Sequence, residues 1–436
     1  MSYQTSLPPK SRTLVLCFDG TSNEYSDENT NVVKFFSLLK KSDCDEQLCY
    51  YQAGIGTYFA PGVVSPLLHW GATILDLAFA WYLSAHVMDG YKFLMQNYRP
   101  NDKICVFGFS RGAYTARALA GMLYKVGLVS RDNDEQVPFA YKLYSRTDDE
   151  GVRLAAGFKE TYSSSVDIEF MGLWDTVSSV GVVMTRSLPF TNSNTSIRTF
   201  RHALALDERR AKFKANLFHR PTDSDSVKIG TTSTRKGILS FLTHRKRFPA
   251  ASAAPEEAGR SPTDVVEVWF PGCHSDIGGG AVTNDTPESL ANITLRWMVR
   301  QVMESQCGIS FRSEALAKLS IVPPVASPFT VSSDSSTDGP NNPAYEQDQV
   351  DALMPMHDML KLKGGNILWW ILEIIPFHYS WQDGRGIWHQ SFEANFGKGR
   401  KIEDENPKFH ITVKERMNNK YKPAASWKQG TEVFVK

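Results

Sequence analysis

The chain has 436 residues, of which 42% are hydrophobic, 12% aromatic and 22% charged, a composition that excludes global disorder and supports a substantial buried core. Its 48 Lys and Arg balance 47 Asp and Glu, leaving a formal charge of +1. No long-range field therefore draws the whole molecule to nucleic acid or to an anionic membrane, and no nucleic-acid partner is expected.

The first residues, Met1 to Arg12, show neither an apolar signal core nor a small-residue cleavage site, so the expected compartment is the cytosol or nucleus. Short apolar runs bounded by turn residues follow at Thr13 to Phe18, Leu48 to Gln52, Lys103 to Phe107, Ile168 to Trp174 and Val265 to Phe270, and they read as buried strands. Between the second and third lies a helical pattern, Ile74 to Met95, in which Leu77, Trp81, Val87, Tyr91 and Leu94 recur at three- and four-residue steps. Further helices are expected from Ser110 and near Thr286-Pro287. Strands alternating with helices imply a mainly parallel sheet covered on both faces.

Residues 12–320 are expected to form this layered domain, with a flexible insertion at 221–263, and a polar loop at 327–348 is expected in the region that follows. Asp348 and Asp351, in and just after that loop, read as surface acids. Residues 321–436 carry Trp369, Trp370, Trp381 and Trp388 with weak periodicity, which suits a lid or cap packed on the first region. The apolar run around Trp369 is interrupted by Glu373 and is too short for a clean membrane span; it would lie on an interface or cover a pocket. Cys17, Cys44, Cys49, Cys105, Cys273 and Cys307 have no framework spacing, and reduced thiols are expected.

The chemistry centres on Gly108-Phe-Ser110-Arg-Gly112, which fits G-x-S-x-G. A strand precedes it, and the Ala-rich stretch from Ala113 follows. A nucleophilic serine needs this strand, turn and helix, because side chains at the flanking positions would collide with nearby backbone. A phosphate-cradling loop is disfavoured, since there is neither G-x-x-x-x-G-K nor a third fingerprint glycine. A serine hydroxyl becomes nucleophilic only when a histidine takes its proton and a carboxylate orients that histidine. Asp175 closes one predicted strand and His274 lies in the Gly-rich loop after another, giving the order Ser, Asp, His. Asp207 and Asp276 compete for the role of acid, and His410 for that of base.

The oxyanion donors are expected to be the N–H of Arg111 and that of Gly20 or Thr21, in the turn that ends the first strand. Asp19 would line the pocket or orient this turn. Although Asp19-Gly20-Thr21 fits part of an aspartate-phosphatase signature, Cys17 stands where its nucleophilic aspartate belongs. No metal-ligand spacing is present, and neither metal nor cofactor is expected.

Six motifs in order, at Leu14 to Thr21, Tyr51 to Thr57, Gly108 to Arg117, Gly172 to Gly181, His202 to Arg210 and Trp269 to Gly280, resemble the catalytic domain shared with type VI secretion phospholipase effectors, over about residues 12 to 300. The resemblance implies an α/β-hydrolase fold and carries a triad onto Ser110, Asp175 and His274. The expected function is hydrolysis of a carboxylic ester, with a small-molecule or lipid acyl ester as substrate and peripheral membrane contact as an accompanying option. An acyltransferase using the same triad, or a non-catalytic binding protein with this fold, are the alternatives.

Overall fold

The computed structural model describes residues 11–21, 23–54, 68–177, 188, 190–191, 194–219, 261–321, 343–361, 367–383 and 387–436. The expected insertion at 221–263 and the expected loop up to residue 342 lie almost wholly outside them. The chain begins β1 (Thr13–Phe18), α1 (Asn31–Leu38), β2 (Gln47–Gln52), α2 (Leu68–Asn97), β3 (Lys103–Phe109) and α3 (Ser110–Val126). It continues with β4 (Leu128–Val129), α4 (Gln136–Ser145), α5 (Asp149–Tyr162), β5 (Ser163–Ser164), β6 (Ile168–Trp174), β7 (Ile197–Ala205) and β8 (Asp264–Phe270). Then come α6 (His274–Gly278), α7 (Leu290–Ser305), α8 (Ser313–Lys318), α9 (Pro343–Ala352) and α10 (Ile367–Ile374). The last elements are β9 (Phe377–Gln382), β10 (Trp388–Glu393), β11 (Lys408–His410), α11 (Ile411–Met417) and β12 (Val433–Val435).

Eight strands form one sheet in the order β12-β11-β8-β7-β6-β3-β1-β2, and every pairing within it is parallel. This is the α/β-hydrolase-like arrangement expected from the sequence. The pleat sends alternate side chains to opposite faces. Leu14, Leu16 and Phe18 join a core beneath α2, α3, α4 and α5, while Val15 and Cys17 join a second core with α1, α7 and α8. A strand buried on both sides has no polar face to show, and the sequence accordingly reads as an unbroken apolar run.

The division expected near residue 320 runs across this sheet. β11 and β12 continue it at one edge, where Phe409 and Val413 pack with Leu204, Leu206 and Trp269 in a third cluster. Asp348 and Asp351, expected on the surface, are instead buried. Arg296 Nε donates to Asp348 and its terminal nitrogen to Asp351, and Arg300 donates to Asp348. These carboxylates neutralise guanidinium groups that α7 carries against α9, a pairing that a polar composition cannot reveal. All six cysteines are free thiols.

Two features of the sheet place the site. First, the progression of strands reverses at β1, which has β2 on one side and β3 on the other, and such a reversal opens a crevice at the carboxyl ends of the two strands around it. Second, neighbouring strands end level: Phe18 is in register with Gly108, and Phe109 with Trp174. Asp19, Ser110 and Asp175 therefore emerge at the same edge.

The start of α3 rests directly on the end of β1. A Cβ on Gly112 would stand 2.3 Å from the carbonyl oxygens of both Phe18 and Asp19, and backbone cannot yield as a flexible side chain would. Gly112→Ala is expected to cost about 1–3 kcal/mol through overpacking, read as a lower midpoint in thermal unfolding. Gly157→Ala, on α5 with nothing near the added methyl, is the control and should raise stability by about 0.5–1 kcal/mol. Equal midpoints for the two variants would show that the contact between α3 and β1 is not tight.

Candidate active site

Ser110 is the residue at which β3 becomes α3. Its φ of +57° lies in the left-handed region, a conformation that costs a non-glycine residue on the order of 1–3 kcal/mol and persists only where the surroundings hold it. A Cβ on Gly108 would lie 2.6 Å from Gly112 O and 2.7 Å from the backbone of Ala113. Both glycines of the motif are thus required by close approach of backbone to backbone, as the sequence pattern anticipates.

The three residues expected to act together meet. His274 Nε2 is 2.8 Å from Ser110 Oγ, and His274 Nδ1 is 2.6 Å from Asp175 Oδ2. With a carboxylate at Nδ1, that nitrogen carries the proton and donates it, leaving Nε2 to accept from the serine hydroxyl. All three side chains are buried, Asp175 completely. Asp175 directly follows β6 with a φ of +40°, and its Oδ1 accepts the Ala205 N–H at 2.9 Å.

His274 opens α6, a five-residue helix. Its ring lies between Phe109 and Phe213, with centroids 4.7 and 4.8 Å away, and its own N–H donates to Glu208 Oε2 at 3.2 Å. Glu208 in turn holds Arg210 in a two-point pair, with Arg210 Nε donating to Oε1 at 2.9 Å and its terminal nitrogen to Oε2 at 2.8 Å. The Arg210 guanidinium stacks 3.5 Å from the centroid of Phe213 and 4.8 Å from that of Trp369. The aromatic C-terminal segment therefore reaches the site through Trp369, which meets Phe213 edge to face.

Burial pushes the pKa of His274 down, against the raising effect of the hydrogen bond and charge of Asp175. Burial would raise that of Asp175, but Arg400 and His274 outweigh it and hold the carboxyl well below the usual range. At neutral pH the site thus presents a neutral imidazole beside an ionised carboxylate.

The competing acids and base have other roles. Asp207 accepts the N–H groups of Gly272 and Ala424 and the Tyr421 hydroxyl. Asp276 caps α6 through the Cys273 N–H and binds the backbone and ring of His357. His410 is buried against Phe270, with Nδ1 on Thr412. His202, on β7, accepts the N–H of Thr176 at Nε2 and binds Glu267 at Nδ1, which fixes the backbone immediately after Asp175.

In the turn after β1, the buried Asp19 carboxylate accepts the Gly20 N–H at 2.7 Å and the hydroxyls of Thr30 and Tyr51, each at 2.8 Å. Asp19 orients the turn, and the Gly20 N–H is already engaged. Thr21 Oγ1 is buried and has no hydrogen-bond partner among the described residues. The turn lies against the residue before Ser110, since a Cβ on Gly20 would be 2.9 Å from the Phe109 ring.

Sequence reasoning missed Arg400, Glu208 and Arg210. The last two lie in the quoted His202 to Arg210 motif but received no role, and Arg400 has no local signature. Among the described residues, no group of His, Cys, Asp and Glu is arranged to hold a metal ion, and no helix is long and apolar enough to cross a membrane.

The chain is similar to several known proteins. An uncharacterized protein of Saccharomyces cerevisiae, YEL023C, is 28% identical, over 94% of this chain and 80% of that protein. A crystal structure of an uncharacterized protein from Pseudomonas aeruginosa is 19% identical, with a TM-score of 0.39, over 80% of this chain; this chain spans about half, 52%, of that one. The structure of the Tle1 effector bound to the VgrG spike of the type VI secretion system is 14% identical, with a TM-score of 0.36, over 98% of both chains. Residues 12–301 match the family described as the catalytic domain of Tle1-like phospholipase effectors of type VI secretion. The match takes in Ser110, Asp175 and His274 and covers well over half of the chain, which therefore belongs to the Tle1-like phospholipase catalytic-domain family, a family of lipid-ester hydrolases.

Proposed function

We propose that this chain is a serine hydrolase that cleaves carboxylic esters, with lipid or phospholipid acyl esters as substrates, through an acyl-enzyme on Ser110. The observation that carries the reading is the continuous hydrogen-bonded path from Ser110 Oγ through His274 to Asp175, at 2.8 and 2.6 Å, beginning at a serine held in a strained turn.

In the first half-reaction His274 Nε2 takes the hydroxyl proton as Ser110 Oγ attacks the ester carbonyl. The imidazolium so formed sits against the ionised Asp175 and returns the proton to the departing alcohol. Water then repeats the sequence on the acyl-serine and releases the carboxylic acid. The tetrahedral oxyanion would be met by the Arg111 N–H, in the first turn of α3, where the helix dipole favours negative charge. Because Asp19 occupies the Gly20 N–H, Thr21 is the stronger candidate for the second donor. Its unpartnered hydroxyl, buried in the same turn, agrees with that role.

The lipid preference rests on the family and on the aromatic segment that brings Trp369 to Phe213 beside His274. A cytoplasmic or nuclear location and peripheral contact with a lipid surface are part of the same proposal.

Two outcomes are expected. Ser110→Ala should lower hydrolysis of p-nitrophenyl esters and of phospholipid vesicles by about 10⁴-fold or more, with unchanged circular dichroism; a variant as active as the parent refutes the mechanism. The proton acceptor must be neutral, and protonation at low pH disables it. Because burial lowers the pKa of His274, kcat/KM should rise with pH about a midpoint below that of an ordinary histidine and be level by neutral pH. An acid limb at or above the ordinary histidine value contradicts this reading.

A further inference from the structure

Asp175 has an unusual set of partners. A carboxylate has about four acceptor positions, and here all four are filled. Oδ1 takes the Ala205 N–H at 2.9 Å and one terminal nitrogen of Arg400 at 2.6 Å. Oδ2 takes His274 Nδ1 at 2.6 Å and the other terminal nitrogen of Arg400 at 2.9 Å. The guanidinium is equally saturated. Its five N–H groups go to the two oxygens of Asp175, to Ala205 O and twice to Phe213 O. Neither group is left with a free position in which to turn.

Arg400 comes from outside the family match at residues 12–301. Its segment is tied down on both sides. Asn395 donates to Arg209 O and to Glu373, which also accepts the N–H groups of Ala211 and Gly397. After the arginine, Ile402 N donates to Ser426 O, and Ser426 N donates to Arg400 O. Gly399 passes so near Ala424 that a Cβ would lie 1.8 Å from its carbonyl oxygen.

We propose that Arg400 is a positioning residue of the Ser110 site. Its planar fork fixes both oxygens of Asp175, and with them the orientation and basicity of His274. The C-terminal region thereby completes the site rather than merely covering it. The inference rests on the serine-hydrolase reading above.

The charged groups around His274 are Asp175 at the end of β6, Glu208 and Arg210 after β7, and Arg400 behind Asp175. Asp276, on α6 itself, is held by Cys273 and His357. Glu208 and Arg210 form their own pair, so the charge on Asp175 is shared between imidazole and guanidinium. A mere counter-ion would require only charge; a positioning residue requires the fork, because an ammonium cannot hold two oxygens in one plane.

Arg400→Met and Arg400→Lys separate these roles, with p-nitrophenyl ester hydrolysis followed from pH 4 to 9. Arg400→Met should lower kcat by about tenfold or more at unchanged KM, since small misplacements of a reacting group are costly. It should also move the acid limb of kcat/KM upward by about one pH unit, because a cation that opposed protonation of His274 is gone. Arg400→Lys should keep the acid limb near that of the parent and still lose kcat. If Arg400→Lys, corrected for folded fraction, keeps the parental kcat, the inference is overturned whatever Arg400→Met does. Should Arg400→Met fail to fold, Arg400→Lys decides alone, and a parental kcat overturns the proposal. A parent enzyme whose hydrolysis is independent of Ser110 sinks both readings, whereas an active parent with indifferent Arg400 variants sinks only this one.

Discussion

The site depends on one buried negative charge. Asp175 has no exposure to water, and an isolated carboxylate in such a place would cost several kcal/mol to keep ionised. Its environment removes that cost with an opposite charge and with donors at every acceptor position, each from a different part of the chain. Ala205 contributes from the end of β7, His274 from the start of α6, and Arg400 from the C-terminal segment. Breaking any one of these contacts leaves the others holding a partly compensated charge, so the carboxylate couples three otherwise distant segments. The arrangement that orients His274 towards Ser110 is the one that ties the C-terminal segment to Asp175.

The parallel sheet supplies the frame. Because β3 and β6 are neighbours and end level, a residue just past each end falls beside the other, and Ser110 and Asp175 need only the width of a histidine between them. The reversal of strand order at β1 opens the crevice there, and the turn at Asp19 and Gly20 packs against Phe109 from the other side. Ser110 and Asp175 are two of the nine described non-glycine residues with positive φ. The surroundings impose those conformations, through the contact of Gly112 with β1 and the saturated partners of Asp175.

Much of this was legible in the sequence because its causes are local. An unbroken apolar run reveals a strand buried on both faces, and a serine between glycines after such a run reveals a turn with no room for side chains. Asp175 and His274 were readable because each sits just beyond a strand. What escaped is non-local. Arg400 follows Gly399 in a stretch with no periodicity, and its purpose exists only once Asp175 stands before it. Glu208 and Arg210 lie within the His202 to Arg210 motif, yet only the folded chain shows that their pair meets the backbone of His274. Asp348 and Asp351 were misread because their partner arginines lie about 50 residues earlier, on a helix whose pairing with α9 composition does not encode. Strands as short as β11 and β12, three residues each, leave too little pattern to find.

The proposed mechanism turns on a covalent acyl intermediate at Ser110. The direct measurement is rapid acid quenching of the protein a few milliseconds after mixing with excess p-nitrophenyl ester, followed by intact-mass and peptide analysis. The expected result is a mass increase equal to one acyl group, located on the peptide containing Ser110, with a burst of p-nitrophenol in proportion to enzyme. Ester turnover with an acyl group on a different residue would contradict it, as would the absence of any burst or adduct in a folded protein.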